Sequence, residues 1–270
     1  MTSPIPDELS PTLVLEVGYR GASFSGYAVQ PGQRTVASEL DRALSTFLGR
    51  PVDLTCAGRT DAGVHALAQY VSLPATEAEL GRGRRRYLRS LTALLPEDIS
   101  VRAAFRARPG FSARFDALSR TYRYRICTGE VRPVLAWDHA WWLRARLDLE
   151  AMSRAARLME GEHDFRSMCK ATSAEGRPTC RNVMSVKVSE TTECGEPVTC
   201  VDVRGNAFLH SMVRTMTGTL VEVGKHRREP AWVTDVLAAR ERAAAGPCAP
   251  AKGLTFQGVE YGERELVPLG

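Results

Sequence analysis

The chemistry-bearing residue best placed in this sequence is a carboxylate in a short, glycine-flanked turn. In Cys56-Ala57-Gly58-Arg59-Thr60-Asp61-Ala62-Gly63-Val64-His65 the turn falls between two apolar stretches, and glycines on both sides let the backbone come close to a ligand. With Arg59 to Asp61 locally extended, the two side chains point to the same side, where a guanidinium keeps the carboxylate ionised and oriented. An ionised, held aspartate can act as a nucleophile. Residue types alone also describe a turn cap with a structural ion pair, the commoner use of such residues.

Other residues carry chemistry less specifically. Arg214 sits in an apolar helical stretch beside Met212, Val213 and Met216, where an unpaired charge is costly and is expected to find a carboxylate or a phosphate, unless its stem simply covers the core. His210, one turn earlier, either touches a ligand or packs. Arg82, Arg84, Arg85, Arg86 and Arg89 form a dense guanidinium cluster leading into a helix, suited to a phosphate backbone or to a solvated face. Trp137, Trp141 and Trp142 alternate with polar residues as in a packed strand or subunit interface. His163, Cys169 and Cys180 match no common zinc spacing, so no metal is expected.

The elements that must position these residues follow from periodicity. Pro11 to Tyr19 reads as a strand through Leu13, Leu15 and Val17, and Arg34 to Leu48 as a helix through Val36, Leu40, Leu44 and Phe47. Strands are predicted over Val52 to Ala57, Leu67 to Leu73 and Ile99 to Arg106, with a helix over Tyr87 to Leu95 ended before Pro96. A second set follows: strands over Arg120 to Cys127, Val183 to Val188, Thr199 to Val203 and Leu254 to Val259, and helices over Leu149 to Met159, Phe208 to Val223 and Trp232 to Arg242. Glu190 to Pro197 reads as a hairpin loop. Strands and helices alternating twice suggest two α+β halves.

Composition narrows the classes. Lys and Arg number 36 against 31 Asp and Glu, a net charge of +5 that suits a polyanionic partner without requiring one. Only Lys170, Lys187, Lys225 and Lys252 are lysines, so almost all the positive charge is guanidinium, which can grip phosphate bidentately and stack on bases. Seven cysteines without a Cys-x-x-Cys pair fit reduced thiols. Apolar runs fall short of a membrane span, and Met1 to Ser10 holds Asp7 and Glu8 but no Lys or Arg, unlike a signal peptide, which predicts a cytoplasmic protein with no membrane partner.

Gly58 to His65 resembles the signature of the tRNA pseudouridine synthase A family. The likeness runs in the family's order over most of the chain, through Gly32 to Val36, Phe111 to Phe115, Arg120 to Tyr124, Gly161 to Phe165, Asn206 to Arg214 and Gly253-Leu254. The resemblance implies that Asp61 is the catalytic carboxylate, that Arg59 and Arg214 support it, that Tyr122 contacts the target uracil and that Leu254 walls the base pocket. Tyr124, on the same strand as Tyr122, reads as core. The resemblance also implies an α+β fold of two ferredoxin-like halves, residues 1–107 with the Asp61 turn and residues 108–270, whose antiparallel sheets meet around a central active-site cleft. A homodimer without cofactor or metal is implied too. The implied reaction isomerises uridine to pseudouridine in the anticodon arm of tRNA, at about positions 38 to 40, with the base extruded from its stack. Arg82, Arg84, Arg85, Arg86 and His210 are then candidate RNA contacts. The alternatives are the same chemistry on another RNA or a free nucleotide, or a non-catalytic RNA-binding or chaperone protein. This sequence departs from the family's pattern at Arg20, usually Asp, at Tyr27, usually Trp but still an aromatic face for stacking, and at Ser112, usually His.

Overall fold

The computed structural model describes residues 10–193 and 195–270. The acidic N-terminal segment through Leu9 and Cys194 lie outside the described residues. The chain divides into two compact α/β units: one runs to Leu118 and takes in Phe256–Gly270, the other is Ser119–Thr255.

In the first unit, β1 (Thr12–Tyr19) lies between β3 (His65–Pro74) and β4 (Ile99–Ala107), antiparallel to both, with Leu15 opposite Val71 on one side and Ala104 on the other. The predicted one-sided alternation is incomplete, because Leu13, Val14, Leu15 and Val17 are all buried. A strand covered on both faces has no polar side to show. Val14 packs with Ala107 and Phe111, so the segment after β4 belongs to this unit, and the unit extends past residue 107. β2 is only Thr55–Cys56. Its ladder on β3 stops short because the side chain of Gln69 takes over the backbone groups of Gly58. β11 (Val267–Pro268) lies beside β4 and β10 (Leu254–Glu260) beside β3, β10 beginning within the second unit.

Helix α1 (Val36–Leu48) starts at Thr35, whose hydroxyl and Ser38 form a reciprocal capping box, and stops at Gly49 in the left-handed region. Val36, Leu40, Leu44 and Leu48 fall on its buried face, each large side chain contributing about 1.5–3 kcal/mol of burial. The short α2 (Glu77–Leu80) leads to α3 (Gly83–Leu94), which packs on β4 and α1.

In the second unit β5 (Ser119–Thr128) pairs antiparallel with β9 (Glu196–Gly205) and parallel with the short β6 (Trp141–Leu143). β8 (Cys180–Glu193) and β7 (Gly161–Asp164) continue the sheet antiparallel. The loop expected over Glu190 to Pro197 is mostly strand, since the β8–β9 ladder continues from Glu190↔Thr199 to Glu193↔Glu196. Thr191 and Thr192 suit a strand well enough to override the acidic character of the stretch. Helices α4 (Leu149–Arg157) and α5 (Met212–Gly224) pack together, and α6 (Trp232–Ala239) packs on β7 and the short helical turn Phe165–Met168. Among the described residues no helix is long and apolar enough to cross a membrane.

Candidate active site

Asp61 is half-buried in the turn between β2 and β3, and the turn rests on a set of buried polar groups. The Tyr19 hydroxyl and Thr60 Oγ1 share a hydrogen bond of 2.8 Å, and the Tyr27 N–H donates to the Thr60 carbonyl at 3.0 Å. Gln69, fully buried, donates to the Gly58 carbonyl at 2.6 Å and accepts from the Gly58 N–H at 3.3 Å. The Val64 N–H closes the turn onto the Asp61 carbonyl at 3.1 Å. Behind it the Gly21 N–H donates to His65 Nδ1 at 3.2 Å, and Gly21 lies so near the turn that a Cβ there would collide with the Val64 carbonyl oxygen. Tyr19 reaches Thr60 because the β1–β3 register shifts between Val17 and Tyr19, an irregularity of the kind that re-aims a side chain.

The electrostatics of the turn set it apart from its one thiol. Burial raises Cys56 to about 11, against the opposing pull of the Arg59 and Arg114 guanidiniums. Cys56 therefore stays a neutral thiol near pH 7 and is no competing nucleophile. Arg59 itself is exposed. Burial likewise holds the Tyr19 and Tyr27 phenols well above their ordinary range, so both remain neutral supports.

Tyr122, Arg214 and Leu254 belong to the second unit. Tyr122 is buried on β5, with its ring edge-on to Phe208 at 5.1 Å and 84°. Two residues earlier, buried Arg120 donates to the Asn206 carbonyl at 2.6 Å and ties β5 to the segment carrying Phe208. Arg214 lies in the first turn of α5, and its Nε donates to the Ala249 carbonyl at 2.8 Å while the Ala249 N–H returns a bond to the Arg214 carbonyl at 3.1 Å. Leu254 is buried at the start of β10. The preceding Gly253 lies against Tyr124, whose ring would be 2.5 Å from an added Cβ. Tyr124, fully buried and bonded to the Pro250 carbonyl at 2.7 Å, is a core residue as expected.

Three expectations change. The helix predicted from Phe208 begins at Met212, because Ser211 adopts φ 61° in the left-handed region, a conformation that breaks the helical run. His210 therefore lies on the approach to α5, exposed, with its carbonyl accepting from the Lys170 N–H. Tyr27, whose ring is expected to keep a stacking face, is buried behind the Asp61 turn. In the arginine cluster, Arg82 donates to the Phe47 carbonyl at 2.7 Å and lies over the Phe47 ring, whereas Arg84, Arg85, Arg86 and Arg89 line the helix surface of α3, with Arg84, Arg85 and Arg86 leading its first turn. Of the residues weighed as metal ligands, Cys169 is buried, Cys180 exposed, and His163 Nε2 bonds the Glu160 carbonyl. At the departures, Arg20 is exposed, and Ser112 lies in a turn where its N–H donates to Asp116 and its hydroxyl accepts from the Phe115 N–H.

A family model described as tRNA pseudouridine synthase matches residues 155–262. The tRNA pseudouridine synthase A of Methylococcus capsulatus is 40% identical over 93% of this chain and 90% of its own length. The proteins of the same name from Moorella thermoacetica and Geobacter sulfurreducens are each 41% identical over 93% of this chain, covering 100% and 99% of their own lengths. This chain belongs to the tRNA pseudouridine synthase A family. Membership in that family agrees with the resemblance read from the Asp61 turn. The supports that sequence reasoning missed in this synthase family member are Tyr19, Gln69 and Phe208. Tyr19 and Gln69 lie on β1 and β3 at positions whose polar tips turn inward among apolar neighbours, a signal that a buried partner must exist.

Proposed function

We propose that this chain isomerises uridine to pseudouridine in the anticodon arm of tRNA, at about positions 38 to 40, with the base extruded from its stack. The observation that carries the reading is the Asp61 turn, whole in sequence and seated on buried hydrogen bonds, in a chain about two-fifths identical to synthases of that name. In the reaction the N1–C1′ bond breaks, the uracil turns while bound, a C5–C1′ bond forms, and the proton leaving C5 is balanced by one gained at N1. Nothing is oxidised or reduced, and no cofactor is invoked. A carboxylate serves this sequence by bonding to the ribose or the base, or by taking the C5 proton. Asp61, Tyr122, Arg214 and Leu254 are assigned to the uridine. Arg59 and Arg214 orient Asp61, Tyr122 meets the uracil, and Leu254 gives it an apolar wall. Arg84, Arg85, Arg86 and His210 are assigned to the RNA.

The strands and helices alternating in each unit support a finer reading of each as a ferredoxin-like half, and a cytoplasmic homodimer is part of the same proposal. The test of function incubates purified protein with tRNA anticodon arms, other RNAs and free uridine nucleotides, and quantifies pseudouridine in each. Product in tRNA at the anticodon arm is expected. Product only outside tRNA overturns the substrate, and no product in any overturns the activity.

A further inference from the structure

A second concentration of charge lies on the second unit, among residues not assigned to the uridine. A cavity of about 300 Å³ is lined by Arg144, Ala145, Arg146, Lys225 and Arg227, four cations and no carboxylate. Its walls are held in place. Arg144 follows β6 and lies over the Trp142 ring at 4.9 Å, and the Trp142 Nε1–H is itself pinned to the Gly129 carbonyl at 3.1 Å. The Lys225 ammonium stands 5.9 Å from the Trp141 ring, which lies edge-on to the fully buried Tyr124 at 6.3 Å. Lys225 also follows the last residue of α5, where the helix dipole favours a cation.

Two acidic groups close in sequence to the lining residues are engaged elsewhere or with a lining cation. Glu222 meets Arg227 at 3.3 Å, and Asp148 caps α4 and faces His226 at 3.4 Å. Like charges gathered around one concavity repel, and an anion entering it relieves that repulsion. Guanidiniums paired with an ammonium suit the tetrahedral oxygens of phosphate better than a single carboxylate, and the two indoles hold two of the cations against loss of side-chain freedom.

We propose that this cavity binds a phosphate of the RNA backbone, so that the tRNA is gripped on the second unit at a point separate from the modified base. The proposal rests on tRNA being the substrate. A phosphodiester and free inorganic phosphate share the recognised chemistry, and the experiment separates them.

The test measures tRNA binding from about 50 to 200 mM salt for the parent protein and for Arg146→Gln/Arg227→Gln, which leaves both stacked cations in place. The slope of log affinity against log salt should become shallower by about 0.9 for each duplex phosphate that the variant no longer neutralises. KM for tRNA should rise several-fold with kcat unchanged, and Arg146→Lys/Arg227→Lys should restore most of the slope, because charge alone sets it. Millimolar inorganic phosphate that abolishes the difference between parent and variant without tRNA affinity having depended on salt points to a free-anion site and overturns the proposal. Equal slopes and equal KM also overturn it, with the tRNA activity left standing. Absence of any pseudouridine product, with tRNA binding that still responds to these substitutions, would remove the proposed function and keep the phosphate site.

Discussion

The Asp61 turn and the start of α5 both hold a charged residue, by different means. Strand side chains carry much of the first: Gln69 meets both backbone groups of Gly58, Tyr19 bonds the Thr60 hydroxyl and His65 accepts from the Gly21 N–H, beside the main-chain bonds of Thr60 and Asp61. At the second the partner is main chain alone: the Ala249 carbonyl accepts from Arg214 Nε, the Ala249 N–H donates to the Arg214 carbonyl, and Ser211 sets the direction of entry. Supports supplied by side chains can be retuned one atom at a time, whereas a partner supplied by main chain moves only when the path of the chain changes.

The largest expected effect concerns chemistry alone. Asp61→Asn keeps volume and turn geometry while removing the charge, so pseudouridine formation should fall by about 10²- to 10⁴-fold or more, with the unfolding midpoint and tRNA affinity nearly unchanged. Comparable turnover in the variant removes Asp61 from the mechanism.

Next come two glycines that report the same contrast in stability. Gly21→Ala drives a methyl group into the Val64 carbonyl oxygen, a main-chain atom, and should cost about 3 kcal/mol or more in denaturant unfolding. Gly253→Ala meets the Tyr124 ring at 2.5 Å, a side chain that can be trimmed. In a double-mutant cycle, Tyr124→Leu should therefore couple favourably to Gly253→Ala by about 1 kcal/mol or more. Additive effects at that pair would mean the backbone, not the ring, sets the limit.

Tyr19→Phe is a smaller perturbation. It deletes one buried hydroxyl and leaves Thr60 Oγ1 short of that partner, for an expected loss of about 1–2 kcal/mol and a lowered kcat at constant tRNA affinity. Unaltered kcat would show that the turn keeps its position without this bond. The smallest stability effect belongs to Arg84→Gln/Arg85→Gln/Arg86→Gln on α3, within about 0.5 kcal/mol of the parent. Its readout is binding: the salt dependence for tRNA should flatten if these groups meet phosphates. Arg82 is left out of that set because its guanidinium holds Phe47.

Legibility in the sequence follows the range of the interactions. Helix α1 is readable because its cap, its apolar spacing and its closing glycine are all local. The Asp61 turn is readable as a string, and its flanking glycines mark a tight path. Its supports are not, because Tyr19 and Gln69 join it only through strand pairing across 41 and 11 residues. The start of α5 is misplaced by periodicity because the apolar pattern runs back through Leu209 and Phe208, while the break is made by a left-handed Ser211 that carries no compositional mark. The arginine cluster looks uniform in sequence, and only the position of the Phe47 ring separates Arg82 from the arginines after it.

The first unit is closed by residues that lie on the far side of the second along the chain. Leu269 donates its N–H to the Ala104 carbonyl, and the Gly270 carbonyl accepts from the Arg84 N–H. During synthesis the ribosome must therefore deliver all of Ser119–Thr255 before the earlier unit can acquire β10 and β11. The second unit is continuous and can complete itself first, reversing the usual N-to-C order of domain maturation. Until then β4, and β3 beyond its short pairing with β2, lack these neighbours, and an unpaired strand edge is a template for mispairing.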